Sequence, residues 1–109
     1  MSLLPVFVAK PEHSAELLER LVALARASHA DPGCIVYRVF QDRDRADRFV
    51  LVEDWSDQAA LEAHNAQPYV TQFLSAAGPL LVEPLGVTRL APVSWPRHPE
   101  SRHEVRRQP

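Results

Sequence analysis

One cysteine, three glycines and a single lysine are all that this 109-residue chain holds of those types. The lone thiol, Cys34, closes no disulfide within the chain and supports no cysteine-based zinc site. So few glycines leave no G-x-G-x-x-G loop, no phosphate loop and no G-x-S-x-G elbow, which removes dinucleotide binding and serine-hydrolase chemistry. A net charge of −2 gives no basic footprint for nucleic acid or for an anionic membrane. The apolar run Leu3–Ala9 is far too short to span a bilayer and carries no basic leader, so the cytoplasm is the expected location. His13, His29, His98 and His103 show no ligand spacing, and no metal is expected.

What remains is globular. A hydrophobic fraction of 46% with 24% charged residues suits one packed domain, and the length admits no second one of any size. The stretch "LLPVFVA" (3–9) reads as a strand, with Pro5 favouring a strand start or an edge. From Pro11 the apolar spacing changes to three and four: Leu17, Leu21 and Leu24 mark an amphipathic helix that must stop before "DPG" (31–33). "CIVYRVF" (34–40) and "RFVLVEDW" (48–55) follow as strands. Ser56 is placed to cap the next helix, with Asp57 in its first turn. Pro68 interrupts that helix, a second piece carries Tyr69, Phe73 and Ala77 at a spacing of four, and Gly78-Pro79 ends it. "LLVEPLGVTRL" (80–90) is a last strand, weakened by Pro84 and Gly86 into a bulge or an edge.

The order is βαββαβ, which makes the fold class α+β and ferredoxin-like: an antiparallel sheet with helices on one face. Residues 1–91 form the domain. Residues 92–109 form a Pro/Arg-rich tail with four prolines and four arginines against two acids, expected to drape the surface or to anchor through Trp95 on a partner. The strands do not alternate apolar with polar. Phe49, Leu51 and Trp55 share one parity, and Val50 and Val52 hold the other. Helices cover one face, so the second face calls for a second copy of the chain, and a homodimer is expected.

The segment 31–73 resembles a known family. Gly33-Cys34, Tyr37, Glu53-x-Trp55, Ala60-Leu61-x-x-His64, Pro68-Tyr69 and Phe73 are similar to the pattern of the antibiotic biosynthesis monooxygenases, a family of dimeric α+β barrels. The likeness runs in element order over residues 3–90. It implies a homodimer with a pocket between sheet and helices in each subunit. Characterised members oxygenate hydroxylated aromatics or quinols with O2 and use no flavin, haem or metal. Other branches degrade haem, isomerise small molecules or have no known activity. The haem-degrading branch uses an Asn on the first strand, which residues 3–9 lack, and His64 and Phe73 stand about where its Trp and His fall.

The expected function is therefore a small cofactor-free monooxygenase acting with O2 on a hydroxylated aromatic or quinol. The alternatives are a dimeric ligand-binding module without catalysis, or an isomerase on the same fold. Triplet O2 does not react directly with closed-shell substrates, so such an oxygenase must deprotonate its substrate into a one-electron donor. His64 is the candidate base, or else a hydrogen-bonded core imidazole. Glu53 is a candidate to orient His64, or to pair with Arg38. Trp55 is a slot wall or an indole donor, or core. Tyr37, Phe49, Tyr69 and Phe73 are candidate substrate contacts. Cys34 reads as a small strand residue and not as a nucleophile.

Overall fold

The computed structural model describes residues 1–93, so the expectations for Trp95 and most of the tail lie outside the described residues. Strand β1 (Ser2–Val8) leads through a short 3-10 turn at Pro11–His13 into helix α1 (Ser14–Ser28). Strands β2 (Cys34–Gln41) and β3 (Arg48–Trp55) form a hairpin. Helices α2 (Gln58–Asn65) and α3 (Pro68–Ala77) follow, then a 3-10 turn at Gly78–Leu80 and strand β4 (Gly86–Leu90). The sheet order is β2-β3-β1-β4 with every pair antiparallel, the ferredoxin-like arrangement.

The period-two pattern decides which side of the sheet is core. On β1 Leu3, Pro5 and Phe7 are buried; on β3 Phe49, Leu51, Glu53 and Trp55 are. Helix α1 closes this face with Leu17, Leu21 and Leu24, and α3 adds Val70, Phe73 and Ala77. Phe7 and Phe73 meet edge to face with centroids 5.8 Å apart. On the opposite face Leu4, Val6, Val50 and Val52 are only half-buried, and Phe40 is 41% exposed. No described helix covers that side.

Three local expectations are corrected. Pro5 lies within β1, a strand paired on both sides. The partner pairs to β3 break off at Leu4 and Pro5 and resume at Val6, whereas pairing to β4 runs without interruption from Ser2 to Val6. A residue with no N–H is tolerated there because its missing bond is confined to one side of one position. Asp57, not Ser56, caps α2: its Oδ1 accepts the Ala60 N–H at 2.8 Å. The last strand is shorter than expected. Leu81 forms only an isolated bridge to Ala9, and regular pairing begins at Gly86, beyond Pro84.

The turn 31–33 joins two parts of the chain. Gly33 adopts φ +84°, the left-handed region, and its carbonyl accepts the Ser56 N–H at 2.8 Å. A Cβ on Gly33 would lie 2.5 Å from the Ala60 Cβ and 2.7 Å from the Ser56 Oγ. Gly33 thus lets the α1–β2 turn lie flat against the start of α2. Gly33→Ala should destabilise the fold by about 2–4 kcal/mol, combining left-handed strain with overpacking. Urea unfolding of the two proteins measures this, and an unchanged midpoint would show that the turn yields freely.

Candidate active site

Three elements converge under the helices. Glu53 sits on β3 opposite Tyr37 on β2 and Leu3 on β1, in the middle of the core face. Trp55 ends β3 and is 1% exposed. His64 comes from α2, one turn after the buried Leu61, and is 3% exposed. Its ring lies over the Trp55 indole with centroids 4.5 Å apart and planes tilted by 37°. The Tyr37 ring stands 5.7 Å from it on another side.

The imidazole is held by a residue that the sequence presents only as part of a turn. His64 Nδ1 lies 2.8 Å from Asp31 Oδ2, and the same oxygen accepts the Tyr69 hydroxyl at 2.5 Å. The Gln67 amide donates to Asp31 Oδ1 at 3.3 Å. No hydrogen bond to Nε2 is found among the described residues. Glu53 does not orient His64 by a hydrogen bond: its Oε1 accepts the Trp55 indole N–H at 3.0 Å. Nor does it pair with Arg38, whose guanidinium lies 4.7 Å from the centroid of the Phe40 ring. Arg38 and Phe40 oppose Val52 and Val50 across the β2–β3 ladder, on the face away from Glu53.

A cavity of about 580 Å³ opens beside this group, ample for a small ring system. His64, Glu53, Tyr37 and Phe73 stand on its wall among Leu and Val side chains. Arg89, on the edge strand β4, brings a guanidinium to it. The other sequence candidates fall elsewhere. Phe49 is fully buried core, Trp55 backs His64 from behind, and Tyr69 points its hydroxyl at Asp31. Asp31, Gln67 and Arg89 escaped the sequence reading. A turn aspartate ordinarily serves its own turn, and nothing local shows that this one reaches 33 positions along the chain.

Burial governs the titration of the group. Desolvation raises the Glu53 carboxyl above the usual carboxylate range, opposed by the Trp55 N–H, the charge of His64 and the Tyr37 hydroxyl. Burial likewise drives the Tyr37 phenol up. Tyr69 is pushed up to about 12 by burial and then by its bond to Asp31, so it stays a neutral donor at physiological pH. The Cys34 thiol is raised by burial and by the nearby Asp31 and Glu53 carboxyls, which keeps it from acting as a thiolate. Among the described residues, no three His, Cys, Asp or Glu side chains gather as a metal site. None of the described helices is long and apolar enough to cross a membrane.

An antiparallel βαββαβ sheet, with an imidazole and a carboxyl facing an apolar cavity beneath its helices, defines a ferredoxin-like α+β domain built around a small-molecule pocket. The sequence pattern of the antibiotic biosynthesis monooxygenases matches residues 5–76. YcnE of Bacillus subtilis (strain 168), named provisionally as a monooxygenase, is 34% identical over 80 residues, which is 73% of this chain and 84% of YcnE. Among solved structures, Rv0793 from Mycobacterium tuberculosis has a TM-score of 0.81 at 28% identity, covering 86% of this chain and 95% of its own. PA3566 from Pseudomonas aeruginosa has a TM-score of 0.80 at 31% identity, covering 85% and 93%. The chain belongs to the antibiotic biosynthesis monooxygenase family.

The raised Glu53 carboxyl has a consequence for stability. The folded state holds its proton more tightly than the unfolded chain does, so stability falls as pH rises from the ordinary carboxylate range through the folded value. Glu53→Gln keeps an oxygen for the Trp55 N–H and removes the charge. Its melting temperature should exceed that of the wild type near pH 7, and the difference should shrink as pH falls below about 4, where the carboxyl becomes protonated in the unfolded chain as well as in the fold. Parallel melting profiles across that range would show that Glu53 titrates as an ordinary carboxyl.

Proposed function

We propose that the protein is a cofactor-independent monooxygenase acting with O2 on a hydroxylated aromatic or quinol. The carrying observation is the buried His64, whose Nε2 has no partner among the described residues and whose side chain stands on the wall of an apolar cavity. A base in a dry slot is what O2 chemistry without a cofactor requires. Nε2 takes the proton of a bound hydroxyl, and the resulting phenolate passes one electron to O2. The radical pair recombines as a peroxide on carbon. The peroxide takes back the proton held by His64; loss of the hydrogen on that carbon as a proton then forms the new C=O as the O–O bond breaks, and the outer oxygen leaves, protonated, as water. Overall SH2 + O2 gives SO + H2O, so the substrate supplies all four electrons and no outside reductant is needed.

The walls suit such a substrate. Phe73, Tyr37 and the aliphatic side chains offer faces for a planar ring and keep water from the anion. Glu53 stands on the same wall with its proton held above the usual range, placed to return a proton as the O–O bond breaks. In this reading His64 and Glu53 do the proton chemistry, and Trp55 fixes both by stacking on one and donating to the other.

An oxygen electrode with a panel of hydroquinones tests the reaction. Substrate-dependent O2 uptake is expected. His64→Leu roughly conserves volume and should cost about 10²- to 10⁴-fold in turnover while changing stability by about 1 kcal/mol. Turnover without O2 would indicate an isomerase, and binding without turnover a ligand-binding module.

The same reading includes a homodimer, supported by the uncovered Leu4, Val6, Val50 and Val52 face. Sedimentation at micromolar concentration should give twice the chain mass, and Val50→Lys should give the monomer. A wild-type monomer would refute sheet-to-sheet pairing.

A further inference from the structure

We infer that Asp31 is the positioning residue that fixes His64 as the Nδ1–H tautomer and so presents the Nε2 lone pair to the cavity. The inference rests on the reading of His64 as a base but is decided by the hydrogen bonds around Asp31. An ionised carboxylate only accepts. Asp31 Oδ2 lies 2.8 Å from His64 Nδ1, so the bond forms only if the ring nitrogen carries the proton. Among the described residues Tyr69 is the one other group in reach of Nδ1, at 3.4 Å, but its hydroxyl is spent on the same Asp31 oxygen at 2.5 Å. Were Nδ1 unprotonated, its lone pair would face the carboxylate at hydrogen-bonding distance, which is repulsive. With Nδ1 occupied, Nε2 is left as the acceptor.

Neutral imidazole in water prefers the opposite form, with the proton on Nε2. Left to itself, the ring would then face the cavity with a donor, unable to take a substrate proton. Asp31 reverses that preference. It is in turn held on both oxygens, by Tyr69 on one and by Gln67 on the other. The backbone adds a third restraint, since the Asp31 carbonyl accepts the Cys34 N–H at 3.2 Å in the turn that Gly33 seats against α2. After the ring takes a proton, the same carboxylate faces the imidazolium, an arrangement like the oriented histidine of hydrolase triads.

His64 borders the large cavity, and it borders a second pocket of about 350 Å³ that is lined by Asp31, Ser56, Asp57 and Gln67. Asp31 lines only the second of these two spaces, so a small anion is expected to reach it from that side.

Nitrogen-15 NMR of the histidine rings in the full chain, at about pH 9 where ordinary imidazoles are neutral, reads the tautomer directly and needs no substrate. His64 is expected as Nδ1–H in the wild type, with loss of that form in Asp31→Ala. Turnover of Asp31→Ala should fall about 10²- to 10⁴-fold, and sodium formate, entering by the second pocket, should restore both the rate and the tautomer. An Nε2–H signal in the wild type overturns the inference, as does an Asp31→Ala variant that keeps Nδ1–H and full turnover. Should that variant fail to fold, the wild-type spectrum alone still decides. If no quinol supports O2 uptake while the tautomer depends on Asp31 as described, the oxygenase reading fails and the positioning role stands.

Discussion

The contact between Asp31 and His64 ties together segments that lie 33 positions apart in the chain. It joins the turn after α1 to the inner face of α2, and both charged or polar partners are nearly removed from solvent. A carboxylate in that position is costly unless each oxygen is satisfied. The surrounding residues meet that demand: Tyr69 and Gln67 donate, and Gly33 allows the turn to approach closely enough for the bond to form. Trp55 then supports the ring from the sheet side. If the turn is displaced, His64 loses its partner and Tyr69 its acceptor together.

The second carboxyl is managed differently. Glu53 has one firm donor, the Trp55 indole, and burial outweighs it, so the group's proton is retained above the normal range. Two acids lie within the same small region, one saturated with donors and the other starved of them. Glu53, unlike Asp31, stands on the wall of the large cavity.

Much of the frame was legible from residue order. The helix spacing of Leu17, Leu21 and Leu24, the shared parity of Phe49, Leu51 and Trp55 on β3 and the stop at Gly78-Pro79 all follow local rules, and α1, β2, β3 and the α2–α3 break fall where those rules put them. Errors came where tertiary pairing outweighs local preference. Pro5 sits in a central strand because the pairing to β3 lapses only at Leu4 and Pro5 and the pairing to β4 continues through it. The segment 80–85 has strand-forming residues but finds only a single bridge at Leu81 before Pro84 turns it aside. At the start of α2 the cap falls one residue later than expected, on Asp57, whose side chain accepts the Ala60 N–H.

The sequence by itself determined the fold class, the inward parity of Glu53 and Trp55, and the placing of His64 on a buried helix face. Each of these follows from a period of two or 3.6 residues acting over short range. Only the tertiary structure decided which carboxylate meets the imidazole. A strand parity puts Glu53 and Trp55 on one face but does not say that they bond to each other. A D-P-G turn shows where the chain reverses, not what its first side chain will reach. That partner is fixed by the packing of a turn against a helix 33 residues away, a distance over which no local periodicity carries information.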